Sequence, residues 1–143
     1  MRKFIITAND AGQRADKFVA KAAPNIPRSM LFKSFRNRRI KRNGKNCHYA
    51  EILQEGDEME LLLYEEFFEE PDYSFTKVSP EVTVVYEDEN ILLLDKPSGQ
   101  LIHGTKSGLE DTLQERALHY LYKNKEYLPE EEHSFAPAFI NRL

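Results

Sequence analysis

The chain has 143 residues, 41% of them hydrophobic and 31% charged, with a formal net charge of −4. That length supports one good core or two small ones. The composition is that of a soluble globular protein and excludes a disordered chain, and no apolar run approaches the roughly 18 residues of a membrane-spanning helix. The N-terminus "MRKFIITAND" has too few consecutive apolar residues for a signal-peptide core, and the single Cys47 excludes an internal disulfide and a cysteine-based zinc site, so a reducing, cytoplasmic setting is expected.

The small net charge conceals a segregation along the chain. Residues 1–50 hold thirteen Lys and Arg against Asp10 and Asp16 alone, a net +11, whereas residues 51–143 carry a net −15. Such a division predicts two modules, the first facing a polyanion. In chain order, "KFIIT" reads as a short strand. "GQRADKFVAKAAP" follows with Ala15, Phe18, Val19 and Ala22 at the i, i+3, i+4, i+7 spacing of one helix face. Pro24 and Pro27 close that helix and open the next, "PRSMLFKSFRNRR", which places Met30, Leu31, Ser34 and Phe35 together and leaves Arg28, Lys33, Arg36 and Arg39 to the other faces. Asn43-Gly44 is a strong two-residue hairpin signal, because both turn positions need positive φ, and Glu55-Gly56-Asp57 marks a second turn before a strand over Met59 to Leu63.

Two short helices and a hairpin carrying clustered bases suit structured RNA. Eight bases lie between Arg28 and Lys45 with no acid among them, too many for solubility alone. No strand carries an aromatic platform for stacking bases, so recognition by shape and backbone is expected. Residues 12–63 resemble the S-four RNA-binding domain through "RADKFV", "PRSMLFK", "RIKRNGK" and "EGDEMEL". The sequence departs from that pattern at Pro27, where Ser is usual, at Arg38, where Gly usually closes the second helix, and at Arg42, where an apolar residue usually precedes Asn-Gly. The basic run and the resemblance together nominate Arg14, Arg28, Ser29, Lys33, Arg36, Arg38, Arg39, Lys41, Arg42 and Lys45 as RNA-binding residues.

"YEEFFEEPDYSFTKVSPE" is acidic, aromatic and interrupted by Pro71 and Pro80, and reads as a linker whose Phe67, Phe68, Tyr73 and Phe75 pack on one of the modules. "VTVVYEDENILLLDKPSG" then reads as a hairpin of Val82 to Tyr86 and Ile91 to Leu94, the second run apolar at consecutive positions and therefore expected to be buried on both faces. Lys96-Pro97-Ser98-Gly99 turns the chain. "EDTLQERALHYLYK" reads as a helix with Asp111 as N-cap and Leu113, Ala117, Leu118, Leu121 and Tyr122 as its apolar stripe, and "PAFINRL" as the start of a strand over Ala138 to Ile140. His48, His103, His119 and His133 are scattered without metal-ligand spacing, so no metal is expected.

The order hairpin, "LDKPSGQLIHG", helix, "PAFINRL" is similar to the start of the catalytic domain of RluA-type pseudouridine synthases, which often carry an S-four domain in front. The resemblance implies an α+β chain: a small two-helix plus β-hairpin RNA-binding domain over residues 1–64, a linker over 65–80, and the first strands and helix of a mixed-sheet catalytic domain over 81–143. It places Lys96, Pro97, Gly99, His103 and Asn141 beside the active site, with Asn141 where His is usual. It also implies that Arg142 fills the gap left by a flipped uridine, and that the catalytic Asp would directly follow Leu143, so the 143 residues are expected to end just short of it and to be inactive alone. The partner implied is structured RNA, ribosomal or transfer, with no cofactor, metal or membrane. The alternative left standing is a non-catalytic RNA-binding module carrying a relic of the synthase.

Overall fold

The computed structural model describes residues 1–104 and 111–140. They form a small α+β chain with antiparallel sheets that divides into two compact units, Met1–Glu70 with His133–Phe135, and Pro71–Glu132 with the segment from Ala136.

In the first unit, β1 (Arg2–Ile5), β2 (Ile40–Arg42), β3 (Lys45–Asn46) and β4 (Glu58–Leu61) make one sheet in the order β1-β4-β2-β3. The register sets Phe4 opposite Met59 and Ile40 opposite Leu61. Because side chains alternate across a strand, this places Met59, Leu61 and Ile40 in the core while Lys3, Glu58 and Glu60 meet as ion pairs on the other face. Helices α1 (Ala15–Ala22) and α2 (Arg28–Arg36) bury Phe18, Val19, Leu31 and Phe35, as their spacing predicts, and Phe18 meets Phe4 edge to face with ring centroids 5.8 Å apart. The β2–β3 hairpin turns on Asn43 at φ 52° and Gly44 at φ 75°, the paired left-handed conformation expected of Asn-Gly.

Residues 65–80, expected as a linker, divide between the two units at Glu70. Phe67 and Phe68 are buried in the first unit through a short 3-10 turn at Glu65–Phe67. Phe75, in a second such turn at Ser74–Lys77, is buried in the other unit among Tyr73, Tyr122 and Tyr127. Aromatic area is too costly to leave in water, so each ring joins the nearer core.

The second unit holds a hairpin of β5 (Val84–Glu87) and β6 (Leu92–Leu94), with an irregular step between Val84 and Tyr86, and helix α3 (Leu113–Lys123). Three expectations are corrected here. Leu93 is 50% exposed, so β6 is not buried on both faces; its sheet has only two strands among the described residues. Thr112, not Asp111, caps α3: its hydroxyl accepts from the Glu115 N–H at 3.2 Å, while Asp111 pairs with Arg116. Ala138 to Ile140 form no strand, since no neighbouring strand among the described residues satisfies their backbone, and Ile140 is almost fully exposed.

Candidate nucleic-acid interface

The basic surface of the first unit is organised by the end of α2. Arg38 lies at φ 59°, where its N–H donates to Phe35 O and the Arg39 N–H reaches back to Ser34 O. This is the six-to-one and five-to-two pattern that usually ends in glycine, and it satisfies the last carbonyls of the helix. Arg38 therefore occupies a conformation that its side chain disfavours by roughly 1 kcal/mol. The cap gathers Arg36, Arg38 and Arg39 at the helix C-terminus, where positive charge is favoured by the peptide dipoles. β2, about 10 Å of strand, then leads to the hairpin tip with Lys45.

The ten residues nominated from sequence divide into two groups. Arg28, Ser29, Lys33, Arg36, Arg38, Arg39 and Lys45 are exposed, and none of the cations has an ion-pair partner among the described residues; Arg28 lies over the Phe32 ring. Of the other three, Arg14 and Arg42 are engaged, and Lys41 is half-buried with no ion pair among the described residues. Arg14 pairs with Asp16 at 3.1 Å and lies over the Tyr49 ring, and Lys41 stands opposite Glu60 across the ladder. Arg42 turns inward: its Nε donates to Asp57 at 2.7 Å and a terminal nitrogen donates to Glu51 at 3.2 Å. The Asn43 amide and the Gln54 N–H also donate to Asp57. Arg42 thus forms an ionic anchor that ties the hairpin to the two loops before β4. Sequence reasoning saw the substitution but could not see Asp57, fifteen residues on.

Burial penalises the Asp57 carboxylate, but the Gln54 N–H, the Asn43 amide and Arg42 outweigh it and hold its pKa below the ordinary 3.8. The His48 N–H, with Arg42, does the same for Glu51. Burial, then Glu51, pushes the Cys47 thiol up to about 12, so it stays a neutral thiol and not a nucleophile.

In the second unit the segment nominated by the synthase resemblance is held by backbone contacts. Lys96 Nζ donates to Pro97 O and Gln100 O, both at 3.2 Å, and closes a turn in which Gly99 takes φ 83°. Leu101 O and Ile102 O then accept from the Leu113 and Gln114 N–H groups, so this stretch finishes the N-terminus of α3. His103 sits edge to face on Phe139, centroids 6.1 Å apart, which brings the "KPSGQLIH" stretch to the chain two residues before Asn141. Asn141 and Arg142 themselves lie outside the described residues. Among those described, no group of His, Cys, Asp and Glu is arranged to hold a metal ion, and no helix is long and apolar enough to cross a membrane.

No family model matches the chain. Curated relatives do. Over 144 aligned residues, covering all of this chain, it is 31% identical to an uncharacterized RNA pseudouridine synthase of Mycoplasma capricolum, of which this is 46%. It is 35% identical over 103 residues to ribosomal large subunit pseudouridine synthase C of Escherichia coli K12, and 35% over 100 residues to the protein of that name in Vibrio cholerae. The chain is a relative of the RluA-type pseudouridine synthases. It spans less than half the length of these relatives, 32% of each of the two pseudouridine synthases C and 46% of the Mycoplasma protein. Two contacts of this family member were missed from sequence, the Tyr120 hydroxyl on Glu87 at 3.0 Å and His119 Nδ1 at Val78 O, 2.6 Å. Each joins residues more than thirty apart, and no local pattern announces them.

Proposed function

We propose that the chain is the N-terminal part of an RNA pseudouridine synthase, in which the first unit is an S-four-like RNA-binding domain and the second begins the catalytic domain. The enzyme isomerises uridine to pseudouridine in structured RNA, ribosomal RNA before transfer RNA, in the cytoplasm and without a cofactor. The observation that carries the RNA half is the set of exposed cations around the end of α2, Lys33, Arg36, Arg38 and Arg39, unpaired among the described residues. A folded surface holds so many unscreened like charges at a cost in self-repulsion that a polyanion relieves. The synthase half is supported by the relatives, two of which carry names that refer to the large ribosomal subunit.

The chemistry requires a uridine taken out of its stack, at a cost of a few kcal/mol, and something to fill the space it leaves. In this reading Arg142 fills it, since a planar guanidinium stacks where a base was and pairs with phosphate. Lys96 and His103 act as positioning residues: Lys96 fixes the turn, and His103 holds the approach to Asn141 through Phe139. The family's carboxylate falls after Leu143, so residues 1–143 alone are expected to bind RNA without isomerising it. Tritium release from uridine-labelled ribosomal RNA by that chain would overturn this expectation. Replacing Arg36, Arg38 and Arg39 together by Ala is expected to weaken binding and to lower the slope of log K against log salt by about 2 to 3. An unchanged slope would move the RNA surface elsewhere.

A further inference from the structure

The basic surface is not flat. The Leu62 N–H donates to Arg39 O at 2.9 Å, which stitches the chain leaving β4 to the residue that closes α2. Two residues on, Tyr64 comes to lie beside Met30, Lys33, Ser34, Asn37 and Arg39, and these six residues line a cavity of about 120 Å³. That is well below the 300 Å³ or more of an ordinary cofactor pocket. Tyr64 is 58% exposed, and its ring is held by an edge contact with the buried Phe67, centroids 5.7 Å apart. Ser34 is spoken for, its hydroxyl donating to Met30 O. The Asn37 amide makes no side-chain hydrogen bond among the described residues, and Lys33 and Arg39 no ion pair.

The cavity thus offers an aromatic ring, one apolar wall, one unengaged amide and two unpaired cations, with no acid. Of the parts of a structured RNA, a base-paired stem presents phosphates but no free base face, because its bases are stacked on one another. A single unpaired nucleotide presents everything the site can use: a π-face for Tyr64, a polar edge for Asn37, and phosphates for Lys33 and Arg39.

We infer that this cavity binds one unpaired, extruded nucleotide of the RNA, stacked on Tyr64. The inference rests on the RNA-binding reading above and deepens it, because it adds base stacking to a surface expected from sequence to read only shape and backbone. Tyr64 escaped that expectation because it lies after β4, the last strand of its unit, and is brought to the helix cap by long-range contacts such as the Leu62 to Arg39 hydrogen bond.

The test uses the 143-residue chain and two RNA hairpins identical except for a single bulged uridine, titrated at one fixed salt concentration. The bulged hairpin is expected to bind about tenfold more tightly or better, the range that one stacked base supplies. Tyr64→Leu keeps an apolar side chain against Phe67 but removes the π-face; it is expected to abolish that preference and leave the fully paired hairpin's affinity unchanged. Tyr64→Phe is expected to retain the preference. Lys33→Ala should weaken both RNAs and lower the salt slope by about 0.7 to 0.9. A preference that survives Tyr64→Leu, an equal loss for both hairpins, or no preference in the unaltered chain overturns the inference alone. Failure of the unaltered chain to bind either hairpin overturns the RNA-binding reading, and the inference with it.

Discussion

Arg42 is 19% exposed and its chief partner Asp57 11%, so their pair sits where solvent screens it weakly. Removing one partner from such a pair strands the other charge. Arg42→Ala is therefore expected to destabilise the first unit by about 2 to 3 kcal/mol, measured by urea unfolding, less than a fully buried pair would lose. An unchanged midpoint would mean that the pair is energetically neutral. The sign of the pH dependence follows from the same contacts. Asp57 and Glu51 both have pKa values lowered in the folded state, below 3.8 and 4.5, so they contribute stability that is complete above those values and lost as pH falls through the lower folded ones. Stability should hold from neutral pH to about 5 and then decline, and the decline should be shallower in Arg42→Ala, because the arginine is one cause of both shifts. An equally steep decline would place the acid sensitivity elsewhere. At this scale the sequence was partly legible: it named Arg42 as a departure, but a charge looks the same in sequence whether it faces solvent or a carboxylate.

At the scale of elements, the local signals were the readable ones. The helix faces of α1 and α2 and the Asn-Gly turn each come from residues within seven positions of one another, and all three are present. The N-cap of α3 was displaced by one residue, because Asp111 and Thr112 are both good caps and only packing chooses between them. Thr112 is buried and bonded to the Glu115 N–H, while Asp111 is exposed and takes Arg116. Thr112→Ala is expected to cost about 1 kcal/mol and to fray the first turn of α3, read as faster amide exchange at Leu113 to Glu115; Asp111→Ala should cost less. The reverse order would restore Asp111 as the cap. The strand expected over Ala138 to Ile140 failed for a related reason, since a strand is defined by its partner and an apolar run by itself does not create one.

At the scale of the whole molecule, the two units differ in how far their apolar surface is covered. The first encloses a continuous core from Ile6 to Phe68, and the buried Asp10 carboxylate within it accepts from Thr7 and from the Ser134 hydroxyl. The second leaves Val85, Tyr86, Leu93 and Leu101 at least half exposed around a sheet that, among the described residues, has two strands and open edges. A chain of residues 1–70 is expected to melt cooperatively, about 1 to 3 kcal/mol less stable for want of Ser134. One of residues 71–143 should bind ANS, give poorly dispersed amide resonances and self-associate. Sharp, dispersed spectra from the latter would mean that its sheet is complete as it stands. The charge division, the helix faces, the hairpin turn and the family resemblance were all determined by the sequence alone, because each is a property of neighbouring residues or of their order. The tertiary structure decided which bases are free and which are spent on Asp57 and Glu51, which aromatic ring joins which core, and that Tyr64 stands beside Arg39. Those are contacts between residues up to dozens of positions apart, and such contacts exist only once the chain has closed on itself.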